Sequence, residues 1–202
     1  MICASCVNGL RTLEQPFCDT CAQPGAHGQC EWCQGHPSKI DGIRAPYLFE
    51  GPLREAVHRL KYRGWRVAAP LLGGLLAGYL EQHRLPGDIM VPVPLHSSRL
   101  RSRGYNQSDL LAREAGKLLG IPVREEILKR ANDAPPQVEA GTREQRRANV
   151  AGNFESSAEV AGMSVLLVDD VATTGSTLFA CAAVLKDAGA AGVWGLVLAR
   201  ES

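Results

Sequence analysis

The stretch Met163–Leu178, MSVLLVDDVATTGSTL, decides the fold of this chain. Within it, Val165–Val168 is a continuous apolar run without helical spacing, which predicts a strand buried on both faces, as in a parallel sheet. Two carboxylates, Asp169 and Asp170, follow at once, and after them comes a run of small residues, Ala172–Thr177. The next segment is apolar and rich in alanine, which predicts a helix. This order of strand, acids, loop and helix indicates an α/β architecture.

The loop before this helix has the properties of an anion-binding site. The first N–H groups of a helix have no partner within the helix, and the helix dipole favours negative charge there. The residues of this loop have small side chains or, at the glycine, none, so a phosphate can approach the backbone. They are Thr173, Thr174, Gly175, Ser176 and Thr177. Two carboxylates beside such a loop would repel phosphate, so we expect them to face hydroxyl groups or a metal ion.

A simpler interpretation of the same stretch is a strand followed by an ordinary Ser/Thr helix cap. It does not explain why two acids and an anion-binding loop occur together at the carboxyl end of a strand, which is where α/β proteins bind ligands. We therefore favour the ligand site.

The sequence VDDVATTGST at 168–177 resembles the 5-phosphoribosyl-1-pyrophosphate (PRPP) motif of type I phosphoribosyltransferases. In those enzymes the paired acids hold the ribose hydroxyls, and the loop holds the 5′-phosphate through its amides. The resemblance implies these roles for Asp169 and Asp170, with Mg²⁺ as a hard cation suited to oxygen ligands, and for Ala172–Thr177.

Length and composition limit the possible domain organisation, binding partners and cellular location of the chain. At 202 residues the chain suits one α/β domain, which we place at 41–202, and a small appendage at 1–40. A formal net charge of +1 provides no overall attraction to nucleic acid, so any basic surface must be local. There is no run of 18 apolar residues and no charged-then-apolar leader, so we expect a cytoplasmic protein without membrane insertion.

Six of the seven cysteines lie within the first 33 residues. They form three Cys-x-x-Cys pairs: Cys3/Cys6, Cys18/Cys21 and Cys30/Cys33. The last two pairs are separated by eight residues, a spacing typical of a zinc ribbon, and together they predict one tetrahedral Zn²⁺ site. The first pair has no matching pair. A redox Cys-x-x-Cys is the alternative for any single pair, but no βαβ pattern surrounds them.

A second predicted core strand, Asp88–Val93, leads into a turn at Pro94 and then to three arginines. We expect Arg99, Arg101 and Arg103 in a loop after this strand. Such arginines can bind pyrophosphate or other anionic groups through bidentate contacts, or nucleic-acid phosphates. A solvated basic turn is the third interpretation.

Periodicity predicts the remaining elements. They are an edge strand within 40–50, helices over 53–62, 70–80, 108–119 and 178–188, and a last strand over 193–198. On the first of these helices, His58, Arg59 and Lys61 lie largely off the apolar face, and solvent exposure is the simplest expectation for them. Residues 132–154 fit no strand pattern and predict a long functional loop or a short arginine-bearing helix over the site. Cys181 lies on the apolar side of the last helix and is expected in the core.

Several segments together resemble the ComF family of competence-associated, phosphoribosyltransferase-like proteins. They are the cysteine pairs, EGPLREAVHRLKYRG at 50–64, VPVPLHSSRLRSRGYNQSDLLA at 91–112, PPQ and TREQRRANVAGNF within 135–154, and VLLVDDVATTGSTL at 165–178. The resemblance implies a type I phosphoribosyltransferase fold, with a mainly parallel sheet flanked by helices, and an N-terminal zinc ribbon with four cysteine ligands. It also implies a role in natural transformation, with single-stranded DNA and competence proteins such as a helicase or recombination mediator as partners.

The resemblance assigns roles to basic residues as well. The turn at Pro94 takes the place of the pyrophosphate loop, with Arg99 and Arg103 nearby, while Arg146 and Arg147 belong to a mobile segment over the site. The implied reaction is displacement of pyrophosphate at the anomeric carbon by a nucleophile. Its rate would come from positioning and from electrostatic stabilisation of the leaving group.

The acceptor is left open at this stage. Purine-salvage enzymes of this fold carry a further Asp where Thr173 stands here, so the sequence disfavours purine salvage. The first function considered is an active PRPP-dependent transferase, and the second is a non-catalytic module that binds single-stranded DNA or a partner and retains the site for ligand sensing. A regulatory, transcription-factor role for the zinc ribbon is the third, and the sequence disfavours it because no recognition helix is predicted.

Overall fold

The structure is a computed structural model that describes residues 4–131 and 152–202. The predictions for Cys3, Arg146 and Arg147, and most of the segment 132–154, lie outside the described residues. In the described part of the chain, no helix has the length and apolar character needed to cross a membrane.

The described strands are β1 (Gly42–Arg44), β2 (Tyr47–Leu48), β3 (Ile89–Pro92), β4 (Leu128–Arg130), β5 (Phe154–Ser156), β6 (Ser164–Ala172) and β7 (Gly192–Arg200). Five of them form a parallel sheet in the order β1-β7-β6-β3, with β2 also pairing with β7. β4 and β5 form a separate antiparallel pair. The prediction of a mainly parallel α/β sheet is confirmed, with β6 at its centre.

The described helices are α1 (Ala4–Asn8), α2 (Glu31–Gly35), α3 (Gly51–Tyr62), α4 (Ala69–Gln82), α5 (Ser97–Arg103), α6 (Gln107–Leu119) and α7 (Ser176–Asp187). Single 3₁₀ turns occur at Arg66–Ala68, Glu125–Ile127 and Ala158–Val160. The predicted helices over 53–62, 70–80, 108–119 and 178–188 therefore form, each starting or ending within two residues of its predicted bounds.

Successive residues of β6 pack into two different cores. Val165 and Leu167 belong to the cluster that contains Cys181 of α7, whereas Leu166 and Val168 belong to the cluster built with α3, α4 and α6. Both faces of the strand are therefore buried, as the unbroken apolar run predicts. Cys181 is fully buried, which confirms its expected place in the core.

Two expectations about loops were wrong. The loop expected from Ala172 begins one residue later, because β6 continues through Ala172, which pairs in parallel with β7 opposite Arg200. The arginines predicted in a loop lie on the helix α5 instead. His96 starts this helix by accepting a hydrogen bond from the Ser98 amide at 3.2 Å. Gly104 ends it in the left-handed conformation, with a φ of 76°.

The predicted edge strand within 40–50 is split into two. β1 and β2 both pair with β7, and Pro46, which has no N–H to donate, lies in the break between them. β1 occupies one edge of the sheet, as predicted.

Candidate functional site

The acidic pair, Asp169 and Asp170, lies near the carboxyl end of β6. The Oδ1 atom of Asp169 accepts hydrogen bonds from the Ser108 hydroxyl at 2.7 Å and from the Asp170 amide at 2.9 Å. Ser108 lies in the first turn of α6. The first acid is therefore oriented by a neighbouring helix and by its own backbone.

The second acid is held by a lysine from a different helix. The Nζ atom of Lys61, near the end of α3, lies 2.9 Å from Oδ1 of Asp170, and the Asp170 side chain is only 4% exposed. The other carboxylate oxygen, Oδ2, is buried and has no hydrogen-bond partner among the described residues. A buried, unpartnered carboxylate oxygen is costly, so a hydroxyl group or a hard cation such as Mg²⁺ would fit this position.

The two acids and the lysine affect one another's protonation. Burial and the charge of Asp170 raise the pKa of Asp169 to about 7, although Lys61 and the Ser108 hydroxyl act in the opposite direction. Burial alone would lower the pKa of Lys61, but the charge of Asp170 and the hydrogen bond to it raise the pKa overall. Lys61 therefore stays charged and partly neutralises the acidic pair.

The residues Thr173–Ser176, called here the phosphate loop, join β6 to α7. Gly175 precedes the helix with a φ of 78°, a conformation that favours glycine. The Oγ1 atom of Thr174 accepts a hydrogen bond from the Ser176 amide at 3.3 Å and lies 2.8 Å from the Ser176 hydroxyl. Gly175 at the N-cap carries no side-chain oxygen, and Thr174 occupies only the Ser176 amide, so an anion at the start of α7 would bind the N–H groups that follow Ser176.

The turn after β3 is fastened next to the acidic pair. The Val93 amide donates to the Val168 carbonyl at 2.9 Å, and the Asn106 side-chain amide donates to the Val93 carbonyl at 2.9 Å. Asn106 also caps α6 by accepting from the Ser108 amide at 3.1 Å. The turn at Pro94 and the hydroxyl that orients Asp169 are thus held by one asparagine.

The arginines of α5 differ in their surroundings. Arg103 donates a hydrogen bond to the Gln107 side chain, and its guanidinium lies 5.4 Å from the centre of the Tyr62 ring. Arg103 therefore lies against the end of α3, the helix that also carries Lys61. Arg99 and Arg101 are exposed on the same helix.

Sequence reasoning missed two residues of this site. The expectation that Lys61 is solvent-exposed was wrong, because the end of α3 faces the carboxyl edge of the sheet, where Asp170 attracts it. The sequence signal for Lys61 is its place in the segment 50–64, which resembles the ComF family. Ser108 carried no signal beyond that resemblance, because its role depends on how α6 lies against β6.

The four predicted metal ligands come together. The ligand atoms of Cys18, Cys21, Cys30 and Cys33, called here the four-cysteine cluster, all lie within 4.8 Å of one another. The amides of Cys21 and Cys30 donate to the Cys18 sulfur at 3.5 and 3.3 Å. The hydrogen bond between Cys33 and Cys21 lowers the pKa of Cys21 to about 4 and raises the pKa of Cys33, so without a metal ion these two thiols share one proton. Four sulfur atoms at this spacing fit a tetrahedral Zn²⁺ ion.

Comparison with known proteins identifies similar chains and a matching domain family. The family model described as "Phosphoribosyl transferase domain" matches residues 103–201. The chain is similar to DNA utilization protein YhgH of Salmonella typhimurium, at 34% identity over 95% of this chain and 87% of that protein. It is also similar to Competence protein F of Haemophilus influenzae, at 31% identity over 98% of this chain and 90% of that protein.

A solved structure, the glutamine PRPP amidotransferase from B. subtilis complexed with ADP and GMP, superposes with a TM-score of 0.46 at 22% identity. The match covers 65% of this chain and 26% of that one.

The parallel sheet, the strand that carries two acids into a glycine-capped helix and the matching family model define a type I phosphoribosyltransferase domain. Full-length similarity and the N-terminal four-cysteine cluster narrow the assignment further. The chain belongs to the ComF family.

Proposed function

We propose that this chain binds PRPP or ribose 5-phosphate at the carboxyl end of β6 and acts in the cytoplasm in natural competence. The observation that carries the proposal is the arrangement of β6 itself. The acidic pair leads directly into the phosphate loop and the start of α7, where Gly175 at the N-cap provides no side-chain cap. The Asp170 Oδ2 atom has no hydrogen-bond partner in the part of the chain that the structure describes. The names of the relatives, which refer to competence and DNA utilization, support the cellular role.

Each part of the site has a chemical task in this proposal. The acidic pair accepts hydrogen bonds from the ribose hydroxyls, and the backbone of the phosphate loop and the first turn of α7 bind the 5′-phosphate. Mg²⁺, when bound with PRPP, would contribute positive charge at the pyrophosphate. The turn at Pro94, with Arg99 and Arg103 of α5, would face the pyrophosphate group.

If the chain is a transferase, a nucleophile displaces pyrophosphate from the anomeric carbon. The carbon–oxygen bond to pyrophosphate breaks while the bond to the nucleophile forms, and the pyrophosphate leaves with the bonding electron pair. Thr173 provides no carboxylate to act as a base for a purine, so we propose an acceptor other than a purine base. Positioning by the acidic pair and the phosphate loop would provide most of the rate.

Calorimetric titration with PRPP and Mg²⁺ tests the proposal. The parent protein is compared with the Asp169→Asn/Asp170→Asn double variant and with Asp187→Asn, an exposed acid on α7, as the matched control. We expect binding by the parent and the control and none by the double variant, with circular dichroism used to check folding. Absence of binding by the parent would refute the proposal.

A second candidate function is binding of single-stranded DNA. The exposed positions of Arg99 and Arg101 on α5, beside the site, favour it. Each arginine that contacts a phosphate should add about 0.7 to the slope of log affinity against log salt. An Arg99→Ala/Arg101→Ala variant should therefore bind an oligonucleotide with a lower slope, whereas an unchanged slope would remove these residues from any DNA surface. Arg84→Ala/Arg63→Ala, which also removes two surface arginines, is the control.

We also propose that the four-cysteine cluster holds a structural Zn²⁺ ion. Thiolate ligands are soft and the set is closed, with four protein sulfur atoms and no position left for water. This part of the proposal is tested separately in the Discussion.

A further inference from the structure

Arg200, the last residue of β7, is buried to a degree that is rare for an arginine. It is 2% exposed and lies opposite Ala172 in the register of the parallel pair β6–β7. A charged side chain in such a place is stable only when its donors are satisfied. The hydrogen-bond partners of Arg200 therefore identify the segments that its guanidinium holds together.

These partners come from two different parts of the chain. On one side, Nε donates to the Cys21 carbonyl at 3.0 Å, and Nη2 donates to the Gln23 side-chain oxygen at 2.6 Å. On the other side, Nη1 donates to the Ala172 carbonyl at 3.1 Å. Nη1 also donates to the Glu201 carbonyl. One guanidinium thus joins the cysteine-containing segment to the end of β6.

Both connected points are close to a proposed ligand. Cys21 belongs to the four-cysteine cluster, so a metal ion there would restrain its backbone carbonyl. Ala172 immediately precedes the phosphate loop, so the position of its carbonyl affects where that loop begins. A metal held by four thiolates carries a net negative charge, which a neighbouring buried guanidinium would offset. The planar, rigid donor arrangement of arginine suits it to contacts in both directions.

We propose that Arg200 is a positioning residue that links metal binding at the four-cysteine cluster to the geometry of the phosphate loop. This inference rests on the proposed function for its ligand and on the proposed Zn²⁺ for its metal. Loss of the metal would release the Cys21 carbonyl, loosen the guanidinium and, through Ala172, weaken the binding of a 5′-phosphate.

Arg44 provides a matched control. It also joins the cysteine-containing segment to the sheet, because its Nη1 donates to the carbonyls of Asp19 and Ile43, each at 2.8 Å. Its guanidinium also lies 4.9 Å from the centre of the Trp194 ring. These contacts lead to β1 and β7 and not to the Ala172 carbonyl, so Arg44→Lys should leave the response of 172–178 to metal removal as it is in the parent.

Hydrogen–deuterium exchange of peptides covering 172–178 tests the link without any ligand. Zinc-loaded protein is compared with chelator-treated protein for the parent, Arg200→Lys and Arg44→Lys, and a peptide covering β3 reports global unfolding. In the parent and in Arg44→Lys, we expect metal removal to speed exchange in 172–178. In Arg200→Lys, which keeps the charge but cannot reach both sides, exchange should be fast with or without metal. A parent-like response in Arg200→Lys, or no response in the parent, would overturn the link.

Calorimetry with ribose 5-phosphate adds a second measurement. We expect metal removal to weaken binding by the parent about tenfold, the effect of losing one hydrogen bond to a charged group, and to leave the weak binding by Arg200→Lys unchanged. If the parent binds ribose 5-phosphate equally well with and without the metal, the link is overturned while the proposed function stays intact. A loop that responds to metal in a protein that binds neither ribose 5-phosphate nor PRPP would support the link and refute the proposed function.

A milder variant covers the case in which Arg200→Lys does not fold. Gln23→Ala removes one acceptor on the cysteine side and leaves the arginine in place. We expect it to reduce the exchange response of 172–178 to chelation, whereas a response equal to that of the parent would overturn the link.

Discussion

At the residue scale, the acidic pair shows how two adjacent carboxylates acquire different environments. Asp169 is oriented by the hydroxyl of Ser108 and by a backbone amide. Asp170 is paired with Lys61, and its other oxygen has no partner within 4–131 and 152–202. Neighbouring side chains on a strand point to opposite sides, so each acid meets different elements. This difference makes one acid titratable near neutral pH and leaves the other with a lysine counterion.

Replacing Lys61 with Met should destabilise the protein. The change leaves the 4%-exposed Asp170 carboxylate without its counterion, which should lower the free energy of unfolding by about 3 kcal/mol. Urea unfolding at pH 7 measures the effect. Lys117→Met, at an exposed position on α6, is the control and should change little.

The double variant Lys61→Met/Asp170→Asn should recover most of this loss, since no unpaired charge then remains buried. Equal stability of Lys61→Met and Lys117→Met would mean that the ion pair contributes nothing.

The raised pKa of Asp169 predicts a pH dependence of stability. Its ordinary value is 3.8 and its value in the folded protein is about 7, so the folded state binds the proton more tightly. The stabilisation is therefore complete below pH 3.8 and is lost as the pH rises to about 7. Through this window, the free energy of unfolding attributable to Asp169 should fall by up to about 1.4 kcal/mol per pH unit.

Asp169→Asn removes this contribution, so its stability should fall less steeply with pH and should exceed that of the parent most clearly at pH 8, where the carboxyl of the parent is ionised. Urea unfolding between pH 4 and pH 8 measures the slope, and Asp187→Asn should keep the parental slope. A parental slope in Asp169→Asn would show that this carboxyl does not titrate in the window.

At the element scale, the start of α7 decides whether the phosphate loop keeps its shape. Gly175 has a positive φ, and a Cβ atom there would lie 3.1 Å from Ile43 and 3.2 Å from Phe179. Both neighbours belong to the same buried cluster, so neither can move freely. The loop geometry is therefore specified by a backbone conformation and by the packing beneath it.

Gly175→Ala should lower the free energy of unfolding by about 2 kcal/mol, because it adds a crowded Cβ to a left-handed conformation. Gly78→Ala on α4 is the opposite case, since no atom of the described residues lies within 4 Å of its added Cβ and its φ is not positive. That change should stabilise the protein by about 1 kcal/mol through helix propensity. Thermal and urea unfolding compare the two. Equal effects of the two alanines would contradict the structural role of Gly175.

At the scale of the whole molecule, the cysteine-containing segment and the sheet share one core. Cys18, Cys21 and Cys33 belong to the same hydrophobic cluster as Val165, Leu167 and Phe179. Damage at the metal site should therefore reach the central strand, and the two parts should unfold together.

Purified protein should contain one zinc ion per chain, and Cys30→Ser should lose it. Because the cluster shares the core of the sheet, zinc loss should lower the midpoint of thermal unfolding by about 10 °C. Metal analysis and calorimetry measure both effects. Cys6→Ser is the control and should keep the zinc, because Cys6 is not among the four clustered sulfurs found in 4–131 and 152–202. Zinc retained in Cys30→Ser would refute the site.

The sequence by itself determined the features that depend on local spacing. The buried strand in β6, the acidic pair, the glycine before α7 and the two closely spaced cysteine pairs all follow from residue type and position along the chain. Such patterns restrict a strand, a helix start or a metal turn regardless of what lies around them.

Only the tertiary structure decided the partners of those features. Lys61, Ser108 and Arg200 meet their targets across separations of 109, 61 and 179 residues, because α3, α6 and the cysteine-containing segment are brought to one end of a parallel sheet. β6 extends through Ala172 for the same reason, since its last residues are held by pairing with β7. Contacts of this kind depend on how the elements pack together, and no local pattern in the sequence specifies them.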